Sequence, residues 1–205
     1  MSNTRRSERA GNNPVRKGRG ASQQKRSGNQ WIWAVAGVVV VLVVILLATR
    51  LFGGSSNGDI TGVQTFSGLS RDHTNDKVTY PQTPPVGGAH NPVWQNCGVY
   101  SQPVQNEHAV HSLEHGAVWI TYQPDLPAGE VQKLRALVQN RSYTLLSPYP
   151  GLPKPVVASA WGLQLQLDSA DDARLAQFIA RYAQGPQTPE PGAACSGGIA
   201  TAAGQ

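Results

Sequence analysis

Glu107-His108-Ala109-Val110-His111-Ser112-Leu113-Glu114-His115-Gly116-Ala117-Val118-Trp119-Ile120-Thr121-Tyr122 carries two different periods within sixteen residues. Read as a helix, its first half places His108, His111 and His115 within an arc of about 60°, as one stripe. From Ala117 to Tyr122 the residues are β-branched and aromatic, which predicts a strand. Gly116 sits where one period gives way to the other.

Downstream, Val131, Leu134, Leu137 and Val138 recur at helical spacing, and Pro127 suits a first turn. Tyr143–Leu146 reads as a second strand. Val156–Ala160, continued by alternating Leu163, Leu165 and Leu167, reads as a third that bends near Gly162. A last helix comes next, capped by Asp168 or Ser169, with Asp171 and Asp172 in its first turn where the helix dipole favours anions. Leu175, Phe178, Ile179 and Tyr182 form its apolar stripe. The order β-α-β-β-α predicts an α+β domain: a small mixed sheet with helices on one face, in two layers. Residues 60–108 are rich in proline, with Gly87-Gly88, and read as loop.

Upstream, the charge is strongly uneven. Residues 1–30 hold eight Lys/Arg against Glu8, a net +7, whereas residues 51–205 carry −3. The basic pI therefore belongs to the tail and gives no reason to assign nucleic acid as a partner of the domain. The tail lacks the apolar surface needed to offset its ordering entropy, and no aromatic is interleaved for base stacking. Trp31 to Ala48 is eighteen residues without a charge. As a helix it spans roughly 27 Å, about one hydrocarbon core. The cations before it predict a cytoplasmic N-terminus and an extracytoplasmic domain. The resulting organisation is a cytoplasmic tail (1–30), a transmembrane signal-anchor (31–51), a flexible stem (52–60), an outer domain (61–185) and a Pro/Gly-rich C-terminal tail (186–205).

Cys97 and Cys195 are the two cysteines, without a Cys-x-x-Cys spacing. An oxidising exterior favours a disulfide between them. Cys97 as a metal ligand is the alternative.

His111 and His115, spaced i, i+4, let two imidazoles meet one ion. A third ligand is expected from the loop holding His90, from His73 or from a carboxylate, and the expected metal set is His90, His111 and His115. Imidazole suits Cu²⁺ or Zn²⁺, and with Met1 as the sole methionine a thioether-based Cu(I) carrier is disfavoured. Two other readings stand beside this one. In the first, the histidines are structural and the domain docks an envelope protein. In the second, His111-Ser112-Leu113-Glu114-His115 acts as a His-x-x-Glu-His hydrolase motif, with Glu114 activating water and Glu190 at a distance that suits a further ligand. The balance leans away from an enzyme.

Pro84-Pro85-x-Gly87-Gly88-x-His90, Trp94, Gly98-Val99-Tyr100, the run Val110–Tyr122 and Ala160-Trp161-Gly162 together resemble the bacterial domain of unknown function 3105 family, over roughly residues 65–185. The resemblance implies a membrane-anchored or secreted domain and supplies no catalytic assignment.

Overall fold

A computed structural model describes residues 35–41 and 59–202. Residues 35–41 are helical and belong to the first of two compact units, and the second begins at Gly58. The anticipated tail and most of the anticipated span and stem lie outside the described residues. Among the described residues no helix is long and apolar enough to cross a membrane.

The elements of the second unit run β1 (Val63–Thr65), β2 (Gly98–Val99), α1 (Asn106–Glu114), β3 (Val118–Tyr122), α2 (Ala128–Val138), β4 (Thr144–Pro148), β5 (Val156–Ala160), β6 (Leu163–Leu167) and α3 (Ala173–Tyr182). The six strands form one mixed sheet in the order β1-β6-β5-β3-β4-β2. β2, β4 and β3 run parallel, and β3, β5, β6 and β1 pair antiparallel. The parallel pair β3–β4 is bridged by α2, because parallel neighbours need a crossover longer than any turn.

All five residues of β3 are buried. Alternate side chains of a strand point to opposite faces, and the packing obeys that rule. Val118, Ile120 and Tyr122 join Leu134 and Val138 of α2 and Leu175, Phe178 and Ile179 of α3. Trp119, with Leu145 beside it in register, packs instead against Ala109, Val110 and Leu113 of α1 and against Trp161. The expected two-layer arrangement, with helices on one face, is therefore corrected: the sheet is covered on both faces. Trp119 and Leu145 present too much apolar surface on the second face to stay in water, at about 25 cal/mol per Å².

Three further expectations change. The single bent strand is two antiparallel strands, β5 and β6, with Ala160 opposite Leu163 and only Trp161-Gly162 between them. Gly162 takes φ +70°, and a Cβ there would stand 2.9 Å from the Phe66 carbonyl oxygen, so the turn requires glycine. The cap of α3 is Asp172, whose carboxylate accepts from the Arg174 N–H at 2.9 Å, so the helix starts later than Asp168 or Ser169 would place it. Within the loop-rich stretch the chain forms β1 and β2, of three and two residues, too short to show a period.

The C-terminal stretch has no run of helix or strand in residues 183–202, yet it is tied to the domain. Asn96 N–H donates to Ile199, Ile199 N–H to Trp94, and Cys97 N–H to Cys195, all at 2.8 Å. Cys97 and Cys195 pair as a disulfide, with Cα atoms 5.3 Å apart, inside the usual span for that bond.

Candidate metal centre

The last turn of α1 carries the centre of the site. His111 and Glu114 stand i, i+3 and share a face, and His115 is the residue that caps the helix. Gly116 then reverses the chain into β3 at φ +91°, and a Cβ there would fall 2.4 Å from the Gln184 side-chain nitrogen. Two loop histidines come to the same place through backbone pairing. The His90 N–H donates to Asp72 at 3.0 Å and the Thr74 N–H donates to His90 at 2.7 Å, which sets His73 beside His90. The rings of His73, His90 and His111 lie 4.9 Å apart pairwise, and His111 and His115 lie 4.4 Å apart. His90, His111, Glu114 and His115 are buried, whereas the His73 side chain is 45% exposed and forms the solvent side.

Hydrogen bonds settle where the protons sit. Nδ1 of His90 bonds the Gly88 carbonyl at 2.7 Å, Nδ1 of His111 that of Asn91 at 2.6 Å, and Nδ1 of His115 that of Ala194 at 2.6 Å. A carbonyl oxygen only accepts, so each Nδ1 is the donor, and in the neutral ring Nε2 is left as a bare lone pair. All three Nε2 atoms turn inward. Those of His111 and His115 face each other at 2.9 Å, that of His90 is 2.9 Å from Glu114 Oε2, and His73 Nε2 is 3.6 Å from the same oxygen. Lone pairs at such distances repel unless a cation stands among them. Burial pushes His111 down to about 4, against the pull of its bond to Asn91, so the His111 Nε2 carries no proton near neutrality.

Glu114 supplies the negative charge. Burial pushes its carboxyl up, but the hydrogen bond from Arg71 and the charges of His90 and Arg71 outweigh this and hold it below the usual carboxylate range. Arg71 Nε donates to Oε1 at 2.7 Å, and its other end reaches Glu190 at 3.3 Å.

His73, His90, His111 and Glu114 each offer one ligand atom, and these atoms lie within 4.8 Å of one another, a group that could hold a metal ion. Ligands about 2.1 Å from a tetrahedral ion stand about 3.4 Å apart, so a movement of up to about 0.7 Å by each of the widest pair closes the set. Of the three residues expected from sequence, His90 and His111 lie in this group. His115 stands beside it, its Nε2 next to that of His111 and 3.7 Å from Glu190 Oε2. His108 points elsewhere, to the Val93 carbonyl. Glu114 is legible in the sequence by its i, i+3 spacing from His111, but the motif there suggests a base and not a ligand. His73 has no local signal, because a backbone pairing between loops brings it in.

Acid sensitivity arises from His111. Its imidazole binds a proton less readily folded than unfolded, so between about pH 6.5 and about 4 the unfolded chain holds more protons and stability falls as pH falls. Glu114, held low in the folded state, adds to the loss at still lower pH. In metal-free protein the His111 contribution is expected to reach up to about 3 kcal/mol. Urea melts at pH 7 and pH 4.5 measure it; coincident midpoints would contradict the assignment.

Fold and site together define a small α+β domain with a buried His/Glu cluster at a helix C-terminus. A family model described as "Protein of unknown function (DUF3105)" matches residues 72–197, and the chain belongs to that family. No curated protein and no solved structure matches it.

Proposed function

We propose that this chain is a membrane-tethered, extracytoplasmic module that binds one divalent transition-metal ion, Cu²⁺ or Zn²⁺. The ligands are His90, His111 and Glu114, with His73 on the solvent side and His115 adding a nitrogen beside that of His111. One observation carries the reading: two buried imidazoles, His90 and His111, each with Nδ1 committed to a backbone carbonyl, turn Nε2 atoms toward an ionised carboxylate, in a group whose ligand atoms lie within 4.8 Å of one another. Metal-binding histidines are commonly oriented by such an outer bond, which fixes the tautomer and raises ligand basicity. Imidazole and carboxylate donors suit Cu²⁺ and Zn²⁺.

The structural alternative treats His90 as an imidazolium between Gly88 and Glu114. It accounts for that contact but leaves the facing lone pairs of His111 and His115 unexplained. A hydrolytic role for Glu114 is disfavoured because Arg71 Nε already donates to its Oε1 at 2.7 Å. The membrane tether rests on the uncharged Trp31–Ala48 run behind a +7 tail.

The test uses the full-length chain purified in detergent. After dialysis against either ion, metal analysis is expected to find about one ion per chain. Added Cu²⁺ is expected to quench tryptophan fluorescence, since Trp94 lies 4.9 Å from His115 and Trp161 5.8 Å from His90. Absence of stoichiometric uptake of both ions near neutral pH would end the metal reading. The tether is tested separately by protease shaving of intact spheroplasts, expected to remove the domain and spare the tail; the reverse pattern would invert the topology.

A further inference from the structure

The segment after Gly185 lies against the metal centre at several points. The Ala194 carbonyl holds His115 Nδ1 at 2.6 Å, Glu190 accepts from Arg71 at 3.3 Å, and the Glu190 N–H donates to the Glu114 carbonyl at 3.1 Å. This strap has no run of helix or strand of its own in residues 183–202. Its covalent anchor is Cys195, the residue next to Ala194, joined to Cys97 across a sequence separation of 98. Its other attachments are hydrogen bonds: Trp94, Gln95 and Asn96 hold residues 198–201, the Cys97 N–H donates to the Cys195 carbonyl at 2.8 Å, and the Tyr143 hydroxyl donates to that of Ala193 at 3.0 Å. Both cysteines are part-exposed and line an open cavity of about 590 Å³ together with Arg141 and Tyr143. An attacking thiolate therefore has a route to the sulfur pair, beside a cationic side chain.

We propose that the Cys97–Cys195 disulfide is a redox latch on the metal centre. Intact, it holds the Ala194 carbonyl against His115, so that the Nε2 of His115 stays beside that of His111. The inference rests on the proposed metal site. Reduction proceeds by thiol–disulfide exchange with an extracytoplasmic dithiol. One thiolate attacks a protein sulfur, the Cys97–Cys195 bond breaks, and a mixed disulfide forms. The second thiolate then displaces the protein sulfur, leaving two protein thiols and an oxidised reductant, with two electrons and two protons transferred. The strap is then held by hydrogen bonds alone, the His115 ring loses its fixed acceptor, and the ion is held more weakly.

The experiment compares Zn²⁺ and Cu²⁺ affinities of the oxidised full-length chain with those of the Cys97→Ser/Cys195→Ser pair, which carries no thiol to bind or reduce the ion. Loss of an outer-sphere partner commonly weakens metal binding by about 10- to 100-fold, and a loss of at least about tenfold is expected here. In a His115→Ala background the same serine replacements are expected to change affinity less than about twofold, because His115 transmits the effect. Circular dichroism confirms that the serine pair is folded. If it is not, wild type reduced and capped with iodoacetamide under native conditions takes its place. Equal affinities in oxidised and serine forms, or an undiminished loss in the His115→Ala background, would overturn the latch while leaving the metal site standing. Oxidised wild type that binds neither ion would instead defeat the metal reading itself.

Discussion

Replacing His90 and His111 together by alanine is expected to abolish stoichiometric metal binding, weakening affinity by about a thousandfold or more. These are the two buried imidazoles of the four-ligand group, so their removal leaves Glu114, the exposed His73 and the flanking His115 as a scattered set without its central nitrogens. The variant also separates the metal reading from the structural one. A ligand that binds only the folded chain stabilises it by about 4 kcal/mol at a thousandfold excess over Kd. Wild type should therefore melt at a higher temperature when Zn²⁺ or Cu²⁺ is added, and the variant should not respond. The metal-free variant loses some stability in either case, since removing His90 strips a partner from the Gly88 carbonyl, at about 1–3 kcal/mol for a buried polar group left unpaired. The decisive quantity is the metal-dependent shift. Were wild type and variant to show the same shift, the ligand assignment would fail.

The second large effect is expected at Trp119. Its ring is fully buried against α1, Leu145 and Trp161, and its indole N–H donates to the Ser147 hydroxyl at 3.0 Å. Trp119→Ala should destabilise the domain by about 3–5 kcal/mol, the range for a large aromatic removed from a core. Metal affinity should fall with it, because the cavity opens directly beneath the helix that carries His111 and Glu114. Urea denaturation measures the first effect and titration the second. A loss below about 1 kcal/mol would mean that the second face of the sheet is not a true core.

Elements with a sustained period are legible in the residues themselves. β3 is marked to within one residue, and α3 shows its stripe at Leu175, Phe178 and Ile179, all buried. The His111/His115 spacing locates the helix turn on which the cluster is centred. The elements that escape notice share a cause. β1 and β2 are defined by their partners and not by their own composition, and the β5–β6 turn is hidden because two apolar strands around a glycine read the same whether the chain bends or reverses. The covering of both sheet faces is implicit in Trp119, but a strand buried on both sides does not announce which element covers it.

By itself the amino-acid sequence determined the charge asymmetry between the tail and the domain, the kind of element each periodic segment forms, and the histidines that could act together on one helix. These depend on neighbours a few residues apart, where backbone geometry is enough. Tertiary structure alone decided that His73 and His90 would meet α1, that Arg71 would neutralise Glu114 from 43 residues away, and that the Ala194 carbonyl would orient His115 across 79. Such contacts are made by loops with no period of their own, and they form only once burial of the sheet's two faces has brought those loops to one end of α1.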